Sequence, residues 1–128
     1  MDLTTVPDPA LFEEGVNRFD DGRFWDAHES WEDLWNEMKR SGCHRMEILA
    51  IQGLIQTAAL LLHHERRNLR GVLNQWKKLQ PKLEAWQVIM GIDVPAHMRA
   101  IQAFARDAED EAWSLTASHH RLPRIDAI

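Results

Sequence analysis

The chain has 128 residues, 45% hydrophobic and 27% charged, with one cysteine and a net charge of −5. Those values fit one globular domain and exclude a disordered, collagen-like or rod-like chain. The lone Cys43 excludes an intrachain disulfide and the multi-cysteine zinc motifs, and the acidic balance argues against nucleic acid as a partner.

Charge is unevenly spread: residues 1–38 carry −9, residues 39–83 carry +7 and residues 84–128 carry −3. The simpler reading is that the acidic first segment packs beside the basic second; the sharper one is a basic face for an anionic ligand. Met1-Asp2-Leu3-Thr4 is neither basic nor followed by an apolar run, so no secretory leader is expected and a cytoplasmic location is.

The apolar period is helical throughout, and no run alternates with period two. Asp8-Pro9 reads as a cap and first-turn proline, Phe12, Gly15, Val16 and Phe19 mark one face, and Gly22 ends the first helix. A second helix is expected from about Phe24 to Lys39, with Phe24, Ala27, Trp31, Leu34, Trp35 and Met38 inward. The third, from about Met46 to His64, is apolar nearly all round and belongs at the centre of a bundle. Its length is near that of a membrane span, but Glu47, Gln52, Gln56, His63 and His64 interrupt it, so no membrane is expected.

A fourth helix begins near the cap Asn68, and Pro81 should kink or split it. Gly91-Ile92-Asp93 reads as a loop whose Asp93 caps a fifth helix, with Ile101, Ala105, Ala108, Ala112 and Leu115 as its stripe. The expected architecture is all-α: a bundle of about five helices, core about 9–116, with an irregular tail over 117–128. Gly15, Ala27, Trp31 and Leu34 stand at spacings like those of a tetratricopeptide repeat, and Ala59 and Gly71 echo them, so helices one to four read as two tetratricopeptide-like hairpins.

The chemistry concentrates at Ala27 to Trp35. At about 100° per residue, Glu32 falls about 40° from His28, one turn on, so the two can share a ligand or a hydrogen bond. Glu29 turns toward the rim, as an outer ligand or catalytic acid–base group. Asp33 faces further out. On the third helix, Gln52, Gln56 and His63 lie on one line of an apolar surface. Buried polar groups without partners cost about 1–3 kcal/mol each, so this line is expected to face His28 and Glu32.

Three readings follow. The cluster is a structural hydrogen-bond network, or a metal or metal-dependent hydrolytic site, or a bystander in a peptide-binding helical module that uses the six tryptophans. In the metal reading His28 and Glu32 are ligands, with His63 a further candidate, and Gln52, Gln56, Asp33 and Trp35 orient them. Imidazole with carboxylate suits divalent zinc, manganese or iron. An HExxH motif is absent, because Glu32 stands where histidine is needed. Cys43-His44 looks like a nucleophile pair, but adjacent side chains rarely converge. The expected partner is an unknown small molecule or a protein, and Met98 to Phe104 could pair subunits in a homo-oligomer.

Gly22 to Trp35, with His28, Glu32, Asp33 and Trp35 in an HxxxEExW-like pattern, resembles the prokaryotic domain of unknown function 309 family. The second acid here is aspartate where the family has glutamate. Gly53-Leu54-Ile55-Gln56 and the stretch from His63 to Gly71 resemble its second block. The resemblance implies a small all-helical fold and a metal-binding role for the motif.

Overall fold

A computed structural model describes residues 1–125, and four of the five helices begin where a side chain holds a free amide. Asp8 accepts from Leu11 N at 3.0 Å and Pro9 opens α1, Pro9–Asp20. Gly22 turns the chain in the left-handed region, φ 77°, before α2, Phe24–Arg40. His44 Nδ1 accepts from Met46 N at 3.0 Å and starts α3, Arg45–Glu65, so His44 serves as a cap and not as a partner of half-buried Cys43. Asn68 accepts from Gly71 N at 3.1 Å at the start of α4, Leu69–Leu83. Asp93 accepts from Ala96 N at 3.1 Å and begins α5, Val94–Glu109.

Helices α1 with α2, and α3 with α4, form two hairpins, and α3 lies at the centre against α2, α4 and α5. By length and composition alone α3 could cross a membrane. Its Ala50, Ile51, Leu54, Ala58, Leu60 and Leu61 are instead buried among the neighbouring helices. The acidic α1–α2 hairpin does pack beside basic-flanked α3. The ion pairs within these segments are nonetheless local: Glu14–Arg18, Arg23–Asp26 and Glu37–Arg40. Small residues set the spacing. A methyl on Gly15 would overlap the Trp31 indole, and one on Gly53 would lie 2.7 Å from Leu83.

Three features differ from the sequence expectation. Pro81 sits inside α4, which runs on to Leu83, so the proline falls in the last turn and does not split the helix. The expected loop at Gly91 is a small hairpin: β2, Val88–Ile89, pairs antiparallel with β3, Ile92–Asp93, and β1, Asp2–Leu3, joins β2 in parallel. Met90 and Gly91 turn it with φ of 49° and 81°, the two left-handed residues of a tight hairpin turn. Finally, α5 ends at Glu109, and Ala112 and Leu115 lie exposed beyond it.

The terminal segments belong to the core more than the expected boundaries allowed. Leu3, Val6, Ala117 and Leu122 are buried, a 3-10 turn spans Ala117–His119, and Arg124 bridges to Ile92. Asp20 Oδ1 accepts from Leu122 N at 2.8 Å and holds this tail on α1. Residues 126–128 of the expected irregular tail lie outside the described residues.

Candidate functional site

The inward edge of α2 carries Ala27, Trp31 and Leu34 into the core, which leaves His28, Glu32 and Trp35 along the seam with α3. There they meet Gln52, Ile55, Gln56 and Ala59 of α3 and Gln75 of α4 around one pocket of about 210 Å³. His28, Glu32, Trp35, Gln52 and Gln56, all named from the sequence, therefore share a centre. Gln75 was missed, although it sits between Val72 and Leu79 on the buried face of α4, where a polar residue is the signal.

His28 Nδ1 lies 3.6 Å from Glu32 Oε2, too long for a hydrogen bond but within ion-pair range. The imidazole is about three-quarters covered and Glu32 is half exposed. Trp25, itself exposed, stacks on His28 with ring centroids 5.4 Å apart and planes 4° from parallel. Lys39 Nζ stands 3.6 Å over the Trp35 ring. Gln56 Oε1 accepts from Lys82 Nζ at 3.0 Å, and burial, with Lys78 nearby, lowers the Lys82 pKa.

Three buried polar atoms on the lining residues have no hydrogen-bond partner: His28 Nδ1, Trp35 Nε1 and Gln75 Oε1. Such atoms are rare in folded proteins and usually mark a water, an ion or a ligand. All three belong to residues that line this one pocket.

The other sequence candidates stand apart. Glu29 and Asp33 are exposed and do not line the pocket. His63 sits at the α3–α4 turn, where its Nδ1 is 3.2 Å from Asn68 Nδ2 and its ring fills the space left by Gly71. Burial, reinforced by Arg66, lowers its pKa. A more apolar pocket of about 450 Å³ adjoins the first, shares Trp35 and Gln52, and holds Lys39, Cys43, Arg45, Ile48 and Leu49.

A family model described as Domain of unknown function (DUF309) matches residues 12–75, half of the chain. The chain belongs to this family. All eight residues that line the His28 pocket fall inside the matched segment of the DUF309 chain. No curated protein and no solved structure matches it.

Among the residues that line this DUF309 pocket, His28 and Glu32 are the imidazole and carboxylate donors. His28 and Glu32 are near enough to share one ion, but the remaining polar groups are carboxamides and an indole N–H. Among the described residues no group of three or more His, Cys, Asp or Glu side chains converges. A structural zinc site takes four such ligands, and a catalytic one about three. Gln52 and Gln56 are weak donors to zinc, manganese or iron, and His63 is held elsewhere.

Proposed function

We propose that the His28 pocket binds a small polar molecule and recognises it by hydrogen bonds from both sides of the α2–α3 seam. The observation that carries this is the set of three unpartnered buried atoms on residues that line it. Trp35 Nε1 can only donate, Gln75 Oε1 can only accept, and His28 Nδ1 can do either according to tautomer. A ligand with at least one acceptor and one donor meets all of them. At about 210 Å³ the pocket is smaller than the ~300–1,000 Å³ typical of drug-sized ligands. The molecule is thus metabolite-sized, with carboxamide, imide or hydroxyl groups that match the three glutamines.

Glu32 supplies one negative charge beside His28 at the mouth, so a ligand amine or a transferable proton would be placed there. The plain-network reading predicts satisfied polar atoms, and three are not. The peptide-module reading has less support, because Trp31 and Trp86 are spent in the core and Trp25 is engaged with His28.

The test is an NMR titration of the full chain with glutamine, uracil and glycerol as probes, with zinc chloride run alongside. The Trp35 indole and Gln75 amide signals should move with at least one organic probe. The response should be lost in His28→Ala and Trp35→Phe. Stoichiometric zinc binding that disappears in His28→Ala and Glu32→Ala would replace this reading with a metal site. Unmoved pocket signals in every titration would leave the structural network as the better account.

A further inference from the structure

A second arrangement of chemical groups lies at the other end of α3. His64 Nε2 is 2.8 Å from Asp107 Oδ2, and both side chains are more than nine-tenths buried. Asp107 is also fixed by Ser114 Oγ at 2.6 Å, Ser114 N at 3.1 Å and Leu115 N at 3.2 Å. Burial alone would raise its carboxyl, but the hydrogen bonds from Ser114, His64 and Leu115 outweigh that and hold it well below the usual carboxylate range. An ionised Asp107 accepts the proton on His64 Nε2, and in the neutral ring this leaves the lone pair on Nδ1. That nitrogen has no hydrogen-bond partner, and His64 lines a cleft of about 240 Å³ with Glu65, Arg67, Trp113, Leu115, Thr116 and Ala117.

We propose that this cleft is a general-base site for the hydrolysis of small esters, in which Asp107 orients His64 and His64 activates water. A structural tie between α3 and α5 explains the His64–Asp107 bond. It does not explain a fixed tautomer whose free nitrogen sits on a cleft. The Asp107 carboxylate touches the ring, and His64 lies in the last turn of α3, next to the cleft. Arg67 lines the same cleft and has no acidic partner among the described residues. Two lining residues, Arg67 and Trp113, hold left-handed backbones, φ 52° and 49°, and strain of that kind concentrates at functional sites. Trp113 and Leu115 give an apolar wall for the alcohol or acyl part of the ester. Glu65, whose carboxyl burial raises, completes the charged groups on the cleft.

The step balances with water as the co-reactant. The water oxygen bonds to the ester carbonyl carbon as its proton passes to His64 Nδ1, and Arg67 offsets the charge on the carbonyl oxygen. The bond to the alcohol oxygen then breaks, and His64 returns the proton to that oxygen, releasing acid and alcohol. The cleft shares no lining residue with the His28 pocket, so the two readings stand or fall separately.

The experiment is hydrolysis of 4-nitrophenyl acetate by the full chain, in H2O and D2O, across pH 5 to 9. The rate should exceed that of free imidazole at equal concentration and be slower in D2O. It should fall at least about tenfold in His64→Gln and in Asp107→Asn. Arg67→Ala, at an exposed position, should lower it several-fold with the fold intact, and His119→Ala, outside the cleft, should leave it unchanged. A wild-type rate no greater than free imidazole overturns the proposal, as does an unchanged rate in folded His64→Gln. Should His64→Gln not fold, an unchanged rate in Arg67→Ala overturns it instead.

Discussion

His97 Nδ1 lies 3.0 Å from His120 Nε2, while His97 Nε2 lies 3.0 Å from Thr57 Oγ1. The Thr57 hydroxyl donates to Leu54 O at 2.7 Å, so its oxygen accepts the His97 Nε2 proton. His97 Nδ1 is then an acceptor, and His120 must donate from Nε2. The chain of bonds runs from the core of α3 through α5 to the C-terminal segment and uses both rings in their neutral form. Phe19 packs edge-on to both, with centroids 5.7 and 5.9 Å away.

Stability should therefore fall on mild acidification. Burial, with His120 beside it, pushes the His97 pKa down to about 3; burial, with Arg121 beside it, pushes that of His120 down to about 4. The ordinary value of 6.5 applies in the unfolded chain, so below that pH the unfolded state takes up protons that the folded state refuses. The stabilisation is complete above about pH 6.5 and is lost as pH falls toward 4. Each histidine contributes up to about 1.4 kcal/mol per pH unit in this window, less for partly exposed His120. Asp107 extends the loss below pH 3.8, since its carboxyl is held low. Urea denaturation at pH 7 and pH 5 checks this. The slope of stability against pH should drop by about one proton in His97→Gln, and an unchanged slope would remove His97 as the cause.

Gly15→Ala should destabilise despite its gain in helix propensity. The added methyl overlaps the indole of fully buried Trp31. That ring cannot swing aside freely, because its Nε1 donates to Phe12 O at 3.1 Å and it lies between Phe12 and Phe19. Overpacking of this kind costs about 1–3 kcal/mol against a propensity gain of ~1 kcal/mol. Thermal denaturation should show a lowered midpoint, and a midpoint at or above wild type would mean that the α1–α2 hairpin spreads easily.

Asp20→Ala should loosen the C-terminal segment and leave the helices in place. The carboxylate holds Leu122 N at 2.8 Å across more than a hundred residues of sequence. Burial raises the Asp20 pKa, with the Leu122 amide acting against it. Losing the bond should cost about 1–2 kcal/mol. Amide hydrogen exchange would read it as faster exchange at Leu122 and His120, with α3 unchanged. Unchanged protection there would show that buried Leu122 alone docks the tail.

The five helices and three of their caps were legible because each depends on residues close in sequence: Asp8 with Pro9, Asn68 with Gly71, Asp93 with Pro95; the His44 cap of α3 was not. The His28–Gln52–Gln56 seam was legible for the same reason, as helical spacing fixes which side chains share a line. The Val88–Asp93 hairpin was not, because strands of two residues carry no alternation to read. The apolar spacing of α5 continues to Leu115, yet Asp107 draws the amides of Ser114 and Leu115 back onto itself and Glu111 turns left-handed, φ 51°. Local hydrogen bonding to one carboxylate overrides periodicity there. His64 with Asp107, and His97 with His120, are tertiary pairs with no sequence spacing to announce them. His97 alone left a trace, standing four residues before Ile101 on the buried stripe of α5.

Trp35→Phe and Gln75→Leu should each stabilise the ligand-free chain. Both residues hold a buried polar atom without a partner, Nε1 in one and Oε1 in the other. Replacing an unsatisfied group by an apolar one of similar shape removes a penalty of about 1–3 kcal/mol, offset in part by lost packing. A net gain of ~1 kcal/mol is expected in urea denaturation. The same changes should abolish the probe response at the His28 pocket, so stability and binding move in opposite directions. Gly71→Ala, which crowds the His63 ring outside that pocket, should lower stability without the reciprocal effect on binding. If Trp35→Phe and Gln75→Leu destabilise the chain as ordinary core changes do, the two atoms are satisfied in solution, and the pocket loses the observation that marks it as a site.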